Sequence, residues 1–359
     1  MVNSHYVPQF ILRNFYADDK ITYCDLEQKT IQARNARTVF SEKGYYPEGI
    51  ERDLCEKTEH QFANLFHNKI ENARSSLSFT AEELFTIKKF LIASAVRYKA
   101  ELSVEEKAGI EALGPEFEID YEMCLNDILA CEDMQDVISV VKKAERFLLN
   151  DTPEPETDAP EMPNIWLWTE IKDLIGAYLI FARPKCDERF IMPDVGRGVY
   201  QGPFAIRKMN ATVATLQQVP DPSLAQLMTM LSPRDYSVYP LSKDLAIISM
   251  SAFYQIFTKS ELHVRVMMPD EYPTLSSVLG FGDSDTILPP RVKGNGRDRE
   301  YKYEIVRLDS GDICHLNSLM ITQASRYIAC ADLKGIQRSI RSAVQYTNRD
   351  LSFMRLNLT

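Results

Sequence analysis

Apolar side chains in the first hundred residues recur at helical spacing. Between residues 50 and 72 they follow a period near 3.6, which predicts an amphipathic helix, and its apolar side consists of Leu54, Phe62, Leu65, Phe66 and Ile70. Thr80 followed by Glu83 forms a capping box, because each side chain can accept a backbone N–H of the first turn. A second helix is therefore predicted from there to about Lys99.

The segment before these helices mixes polar and apolar residues from its first positions. Polar side chains stand between apolar ones over residues 5–15, and the Phe, Ile and Leu content predicts that this segment is docked in the core. Pro8 suits the first turn of a short helix, in which Gln9 and Arg13 share a face because they are four positions apart. A hairpin with strands at residues 21–24 and 30–33 is predicted to follow.

The second half of the chain shows the short apolar or alternating runs that are typical of strands. Pro, Gly or Asp separates these runs, which cover residues 174–181, 189–192, 237–241, 245–249, 263–267 and 303–308. Helices are predicted near 312–330 and 335–347, and a long surface loop over 268–300. The predicted fold is α+β: an N-terminal arm and hairpin, a helical region, a β-rich second half and closing C-terminal helices.

Charge divides the chain into three predicted parts. The net charge is −10, and residues 101–163 alone hold 18 Asp or Glu against four Lys or Arg. We therefore expect an acidic helical insertion with a Pro/Glu linker at 103–163, between folded parts at 1–102 and 164–359. The acidic insertion is a candidate docking surface for a protein partner.

Basic residues collect in two other segments. Residues 326–355 contain six Lys or Arg against two Asp, and residues 291–302 contain five Lys or Arg. Both segments are predicted contacts for nucleic acid, since positive surface attracts phosphate. A charge asymmetry of this size nevertheless more often belongs to a solvent-exposed surface without a binding role.

Cysteine usage and hydropathy favour a cytoplasmic protein. The seven cysteines are scattered without a Cys-x-x-Cys pair, which argues against a disulfide framework and against a thiolate zinc site. No stretch approaches the ~20 apolar residues of a membrane helix, and the start of the chain lacks the pattern of a signal peptide. We expect a reducing compartment and no membrane association.

The opening residues resemble the start of a known family. His5, Pro8, Leu12 and Phe15 match a His-x-x-Pro-x-x-x-Leu-x-x-Phe signature, which begins the domain in a large, mostly bacterial family of unknown function. The resemblance extends in patches over residues 5–15, 45–97, 172–195, 239–250 and 312–330, and it implies no activity. It singles out four places as candidate sites: the opening segment, Glu51 and Glu59 with Arg97, Asp194, and Asn317.

The opening segment carries side chains suited to acid–base chemistry or anion binding. A neutral His5 could act as a base or a metal ligand. Arg13 could hold a phosphate or a carboxylate with two parallel hydrogen bonds. The simpler alternative is structural: His5 caps the short helix, and Arg13 pairs with Glu51 or Glu59.

The two glutamates lie on the first predicted long helix. Being eight residues apart, Glu51 and Glu59 would stand about 80° apart around a regular α-helix and ~12 Å apart along it. They could then reach one cleft without touching each other, with Arg97 on the next helix nearby. Glutamates on a helix are usually solvated, so only the resemblance makes this pair candidate site residues.

Asp194 and Asn317 complete the candidate set. Asp194 follows a predicted strand, which would hold its carboxylate rigidly, but Pro193 stands where the resemblance implies a serine. Asn317 falls inside the apolar stripe of a helix counted from Ile313, and a buried amide without partners costs about 1–3 kcal/mol. Either hydrogen bonds to the backbone of a strand or contact with a ligand would supply those partners. His315 should lie on the exposed side.

These residues together predict a nuclease-like hydrolase of nucleic acid, such as a toxin or a phage-defence effector. Walker loops, dinucleotide fingerprints, Gly-x-Ser-x-Gly and His-Glu-x-x-His are all absent. Asp194 and Glu59 would hold Mg²⁺ or Mn²⁺ to activate water. The predicted catalytic residues are His5, Glu59 and Asp194, and the predicted binding residues are Gln9, Arg13, Arg97 and Asn317.

Two alternatives use the same residues. In the first, the polar groups form the pocket of a non-catalytic module that binds a ligand or a protein partner. In the second, they form a buried network that only fixes the fold.

Overall fold

The computed structural model describes residues 3–98, 121–140, 171, 174, 177–200, 236–250, 291–293, 300–347 and 349–356. Its architecture is α+β with helices at the C-terminal end, which confirms the predicted fold class.

The strands in this described part fall in both halves of the chain. They are β1 (Asn3–His5), β2 (Ile21–Asp25), β3 (Thr30–Arg34), β4 (Ser41–Lys43), β5 (Ser76–Thr80), β6 (Tyr178–Pro184), β7 (Met192–Pro193), β8 (Gly198–Tyr200), β9 (Tyr236–Ser242), β10 (Leu245–Met250), β11 (Arg291–Lys293), β12 (Glu300–Leu308) and β13 (Tyr327–Cys330).

The described helices lie between these strands along the chain and at its C-terminal end. They are α1 (Gln9–Arg13), α2 (Glu48–Leu54), α3 (His60–Leu65), α4 (Ala81–Arg97), α5 (Tyr121–Ala130), α6 (Ser310–Gln323), α7 (Gln337–Ala343) and α8 (Ser352–Leu356). π turns at Cys55–Glu59 and Phe66–Ile70 continue α2 and α3, and residues 134–140 are also helical.

Two sheets join the beginning and the end of the chain. The larger has the order β11-β12-β6-β10-β9-β8, with β5 also paired to β12, and the smaller has the order β3-β2-β13-β7. Only β12 and β6 run parallel among the pairs of these described strands. Residues 1–102 and 164–359 therefore contribute strands to the same sheets, while the boundaries of 103–163 stay a prediction.

The amino-acid pattern of each strand matches its place. β10 is apolar except for Ser249 and is buried at every position, as expected of a strand covered on both faces. β12 alternates between exposed and buried positions over much of its length, because one of its faces meets solvent. The opening segment is anchored as predicted, since Ile11, Leu12 and Phe15 are fully buried.

Several predicted elements are confirmed. The hairpin forms as β2 and β3, and α4 begins with the Thr80–Glu83 capping box, in which both reciprocal hydrogen bonds are present. β9, β10 and β12 cover the strands predicted at 237–241, 245–249 and 303–308.

Other predicted elements are wrong at their boundaries. Residues 171 and 174 are helical, and the strand starts at Tyr178. Of the strand predicted at 189–192, only Met192 is in a strand, which is β7 (Met192–Pro193). The helix predicted at 312–330 ends at Gln323, and residues 327–330 form β13. Residues 291–293, predicted as loop, form β11.

The strand predicted at 263–267, most of the loop at 268–300 and most of the acidic segment 103–163 lie outside the described residues. No described helix is long and apolar enough to span a lipid bilayer.

Candidate functional site

The opening segment is fixed by a short strand followed by a short helix. β1 pairs antiparallel with β4, and the Tyr6 N–H donates to the Phe40 carbonyl at 3.1 Å. α1 begins directly after Pro8, whose missing N–H costs nothing at that position. His5 is therefore set by strand pairing and Gln9 by the helix, so the distance between them is determined by the backbone.

His5, Gln9 and Arg13 form one chain of side-chain hydrogen bonds. The His5 Nδ1 lies 3.3 Å from the Val39 carbonyl, which can only accept, so Nδ1 carries the proton. The other ring nitrogen, Nε2, is then the acceptor for the Gln9 amide at 2.8 Å. Arg13 donates to the Gln9 carbonyl at 3.4 Å and is itself exposed.

A buried arginine joins the two glutamates. The side chain of Arg97 is only 3% exposed, and it contacts Glu51 at 3.4 Å and also pairs with Glu59. The alternative in which Arg13 pairs with a glutamate is therefore wrong: the ion pairs belong to Arg97. The helix-capping alternative for His5 is also wrong, because its ring nitrogens bond the Val39 carbonyl and the Gln9 side chain instead.

A π turn brings Glu51 and Glu59 to the same side of their helix. The prediction of an 80° separation assumed a regular α-helix, but Cys55–Glu59 is a π turn. Such a turn holds more residues and so rotates less per residue, and the total rotation from Glu51 to Glu59 falls to roughly two full turns. Both carboxylates can therefore face Arg97, and sequence periodicity gave no sign of this.

Burial sets the protonation of this cluster, which we call the opening cluster: His5, Gln9, Glu51, Glu59 and Arg97. Burial lowers the pKa of His5, the positive charge of Arg97 lowers it further, and the charge of Glu59 raises it in part. Burial raises the pKa of Glu51, against the effect of Arg97. At neutral pH the His5 imidazole is therefore uncharged.

Glu51 lies mostly inside the protein and contacts both β1 and Arg97. It accepts hydrogen bonds from the His5 backbone N–H and the Ser4 hydroxyl, both of which lower its pKa in part. Its Oε2 is buried and lacks a hydrogen-bond partner in the described structure. Glu51 therefore acts by holding β1 and Arg97 in place.

Asp194 ties two strands together. It follows β7, and its carboxylate accepts the backbone N–H groups of Ser325, Arg326 and Tyr327, each at 2.8 Å. Burial raises the pKa of Asp194, although these hydrogen bonds lower it in part. Both carboxylate oxygens are occupied by the backbone that leads into β13.

Tyr6 connects Asp194 with the opening cluster. Burial raises the pKa of the Tyr6 phenol, and the nearby Asp194 carboxylate raises it further. A cavity of about 20 Å³, with room for a single water, lies between Tyr6, Val7 and Gly196, among other residues. The opening segment thus packs against the turn that follows Asp194.

Asn317 belongs to a separate buried network. Its amide nitrogen donates to the Arg189 carbonyl at 2.6 Å and to the Ser339 hydroxyl at 2.8 Å, and its oxygen accepts the Ile191 N–H at 3.2 Å. Ser339 in turn donates to Glu188 at 2.6 Å. These bonds tie α6 to the segment before β7, which corresponds to the structural tie expected for a buried amide.

No metal-ligand cluster is visible in the described part of the chain, since no three His, Cys, Asp or Glu side chains are grouped suitably. Asp194 is occupied by backbone N–H groups and Glu59 is paired with Arg97. The arrangement does not favour Mg²⁺ or Mn²⁺ on these two carboxylates, and that assignment stays a prediction.

The basic segment 326–355 is partly neutralised. Arg326 makes hydrogen bonds to both carboxylate oxygens of Asp25, and Arg338 donates to the Ser310 hydroxyl. Arg341 and Arg355 are exposed. In the other basic segment, Lys302 is exposed, and the remaining basic side chains are not described.

A second pocket was not predicted from the sequence. It has a volume of about 280 Å³, lies between β8 and α6, and is lined by Tyr200, His315, Gln323 and Tyr346, among others. His315 is half-buried there, which corrects the expectation that it is exposed. Its wall is built from residues distant in sequence, so only the exposed aromatic Tyr346 could have served as a signal.

The comparisons with known proteins define a family and nothing more specific. A family model described as "Protein of unknown function (DUF4238)" matches residues 3–333. No curated protein and no solved structure matches the chain.

Proposed function

We propose a function for this chain, which belongs to the DUF4238 family of proteins of unknown function: it is a ribonuclease in which His5 is the general base. The observation that carries the proposal is the fixed tautomer of His5. The carbonyl of Val39 holds the proton on Nδ1, which leaves the Nε2 lone pair directed at Gln9.

The position of the Gln9 amide suits a substrate hydroxyl. An amide N–H and a hydroxyl are both hydrogen-bond donors, so a hydroxyl can replace Gln9 on Nε2 after a side-chain rotation. In the part of the chain that the structure describes, Gln9 is half-buried and its carbonyl accepts a hydrogen bond from exposed Arg13 at 3.4 Å. The lowered pKa of His5 keeps its imidazole neutral and able to accept that proton.

Arg13 favours a phosphodiester as the neighbouring group. Its guanidinium lies on the α1 face that carries Gln9, it is exposed, and it can bind phosphate through two parallel N–H groups. In RNA, a hydroxyl lies next to the phosphate on the same ribose. An RNA strand therefore supplies both groups that His5 and Arg13 can bind.

The proposed step balances without a further reactant. The 2′-hydroxyl gives its proton to His5 Nε2, its oxygen forms a bond to phosphorus, and the bond from phosphorus to the 5′-oxygen breaks. The 5′-oxygen takes a proton from water, and His5 later returns its proton to solvent. The products are a 2′,3′-cyclic phosphate and a 5′-hydroxyl.

The remaining predicted residues act by positioning. Glu59 and Glu51 hold Arg97, and the charges of Arg97 and Glu59 act on the His5 ring. Asp194 fixes the turn against which Tyr6 packs. In this proposal neither glutamate nor Asp194 contacts the substrate, and Asn317 supports the fold from α6.

The test compares matched RNA and DNA oligonucleotides, each with EDTA, Mg²⁺ or Mn²⁺. We expect RNA to be cleaved in EDTA while DNA and 2′-O-methyl RNA stay intact. His5→Gln should lower the rate by at least about 100-fold, since a general base contributes roughly 10²–10⁴. His67→Gln is the matched control, because the His67 ring is exposed and its ion-pair partner is Glu71 on the same helical segment.

Two results would overturn the proposal. One is intact RNA under every condition, and the other is equal cleavage by the wild type and by folded His5→Gln. Cleavage of DNA and RNA only with a divalent ion would instead support the metal-assisted hydrolase. Binding without cleavage would support the non-catalytic module.

A further inference from the structure

The second pocket is separate from the opening cluster and shares no lining residue with it. Its volume of about 280 Å³ is close to the lower end of the range for small-molecule sites, roughly 300 Å³. That space suits one planar ring system rather than a large ligand.

The wall of this pocket is uncharged, and the rings of Tyr200 and His315 lie in it beside aliphatic and hydroxyl side chains. Tyr200 stacks on Tyr236 with ring centroids 4.8 Å apart and planes 21° apart, and the His315 ring stands edge-on to Tyr200 at 5.7 Å. The Tyr236 hydroxyl and His315 Nε2 are 3.1 Å apart. Burial lowers the pKa of His315 to about 4, so the ring is neutral at pH 7.

The pocket is preformed. The side-chain amide of Gln323 on α6 both accepts the Val199 N–H at 2.7 Å and donates to the Val199 carbonyl at 2.5 Å. This pair of bonds clamps β8 to α6, so the rings of Tyr200 and His315 keep their relative positions. A ligand would therefore meet an ordered wall, which reduces the entropic cost of binding.

The outer side of the pocket carries an exposed tyrosine in a basic segment. Tyr346 is 53% exposed, which is unusual for a large aromatic side chain in the described structure. It lies in the 326–355 segment, which has a net charge of +4, and Arg341 nearby in sequence is exposed. Exposed aromatic rings beside cationic side chains are the usual elements of single-strand nucleic-acid binding.

We propose that this pocket binds one unpaired base of a single-stranded RNA. The base stacks with Tyr346 at the pocket mouth, the Tyr200 and His315 rings form the inner wall, and Arg341 attracts the phosphates. The aromatic pocket and its basic surroundings carry this inference. Only the choice of RNA over DNA rests on the proposed function.

The test measures RNA binding by fluorescence anisotropy in a His5→Gln background, so that cleavage does not interfere. Labelled single-stranded RNA should bind with an affinity that Tyr346→Ala lowers between about fivefold and a hundredfold, as loss of one base stack does. Tyr346→Phe should keep most of the affinity. Met123→Ala is the control, because Met123 is a similarly exposed apolar residue on α5.

Equal affinity of the Tyr346→Ala variant and its parent would overturn the inference, as would equal binding of duplex and single-stranded RNA. If single-stranded DNA binds as tightly as RNA, the result supports the base pocket and refutes only the choice of RNA over DNA. Failure of cleavage with intact, Tyr346-dependent binding would refute the proposed ribonuclease and leave the pocket standing. The two proposals can therefore fail independently.

Discussion

Replacing Arg97 with Met removes the positive charge that two carboxylates share. The Arg97 side chain is 3% exposed, and those of Glu51 and Glu59 are 19% and 15% exposed, so water can solvate the remaining charges only poorly. Breaking a buried ion pair by removing one partner costs about 3–5 kcal/mol. Met keeps most of the side-chain volume, so the change isolates the charge.

The expected loss can be stated as a melting temperature. At about 2.1 cal/mol/K per residue, a chain of 359 residues unfolds with an entropy of about 0.75 kcal/mol/K near its midpoint. A loss of about 3–5 kcal/mol then lowers the melting temperature by about 4–7 °C. Differential scanning calorimetry on the full chain measures this directly.

Two further variants make the test specific. Arg52→Met is the control: Arg52 is 67% exposed and contacts Asp53 at 3.7 Å, so the change should shift the midpoint by less than about 1 °C. The triple variant Arg97→Met, Glu51→Gln, Glu59→Gln should recover most of the loss, because no unpaired charge remains. The reasoning is refuted if Arg97→Met resembles Arg52→Met, or if the triple variant is less stable than the single one.

Three other predictions follow from buried polar groups. Burial raises the pKa of Asp312 to about 7, so between about pH 4 and 7 the folded chain keeps a proton that the unfolded chain loses, and stability falls as pH rises. The Asp312→Asn variant should therefore raise the melting temperature more at pH 8 than at pH 5. An equal gain at both pH values would contradict this. Asn317→Ala should strongly lower the urea concentration at the unfolding midpoint, because up to three buried partners lose their hydrogen bonds at about 1–3 kcal/mol each. An unchanged midpoint would show that these groups find other partners. Gln9→Glu places a carboxylate against His5 Nε2, so the pKa of His5 should rise. NMR titration of the His5 ring measures this pKa, and no rise would argue against the Gln9–His5 contact.

Local signals in the sequence predicted the parts of the fold that depend on neighbouring residues. The Thr80–Glu83 capping box forms as predicted because both partners lie within one turn. The docked opening follows from its own apolar side chains. By contrast, residues 327–330 continue an apolar stripe but form β13, because pairing with β2 and β7 supplies hydrogen bonds that helical periodicity cannot reveal.

The candidate site was only partly predictable for the same reason. Gln9 and Arg13 are four positions apart on α1, so their shared face was visible in the sequence, whereas His5 lies on β1 and its contact with Gln9 was not. The meeting of Glu51 and Glu59 at Arg97 depends on a π turn, which changes the angular spacing without a residue signature. The hydrogen bonds that the Asp194 carboxylate accepts from the N–H groups of residues 325–327 span more than 130 positions, and no local pattern encodes them.

The most direct test of the proposed ribonuclease is the chemistry of its product ends. RNA incubated with the purified protein in EDTA would be analysed by mass spectrometry. The proposal predicts fragments with 2′,3′-cyclic phosphate and 5′-hydroxyl ends, produced by the wild type and not by His5→Gln. Intact RNA, or fragments with 5′-phosphate and 3′-hydroxyl ends, would contradict it.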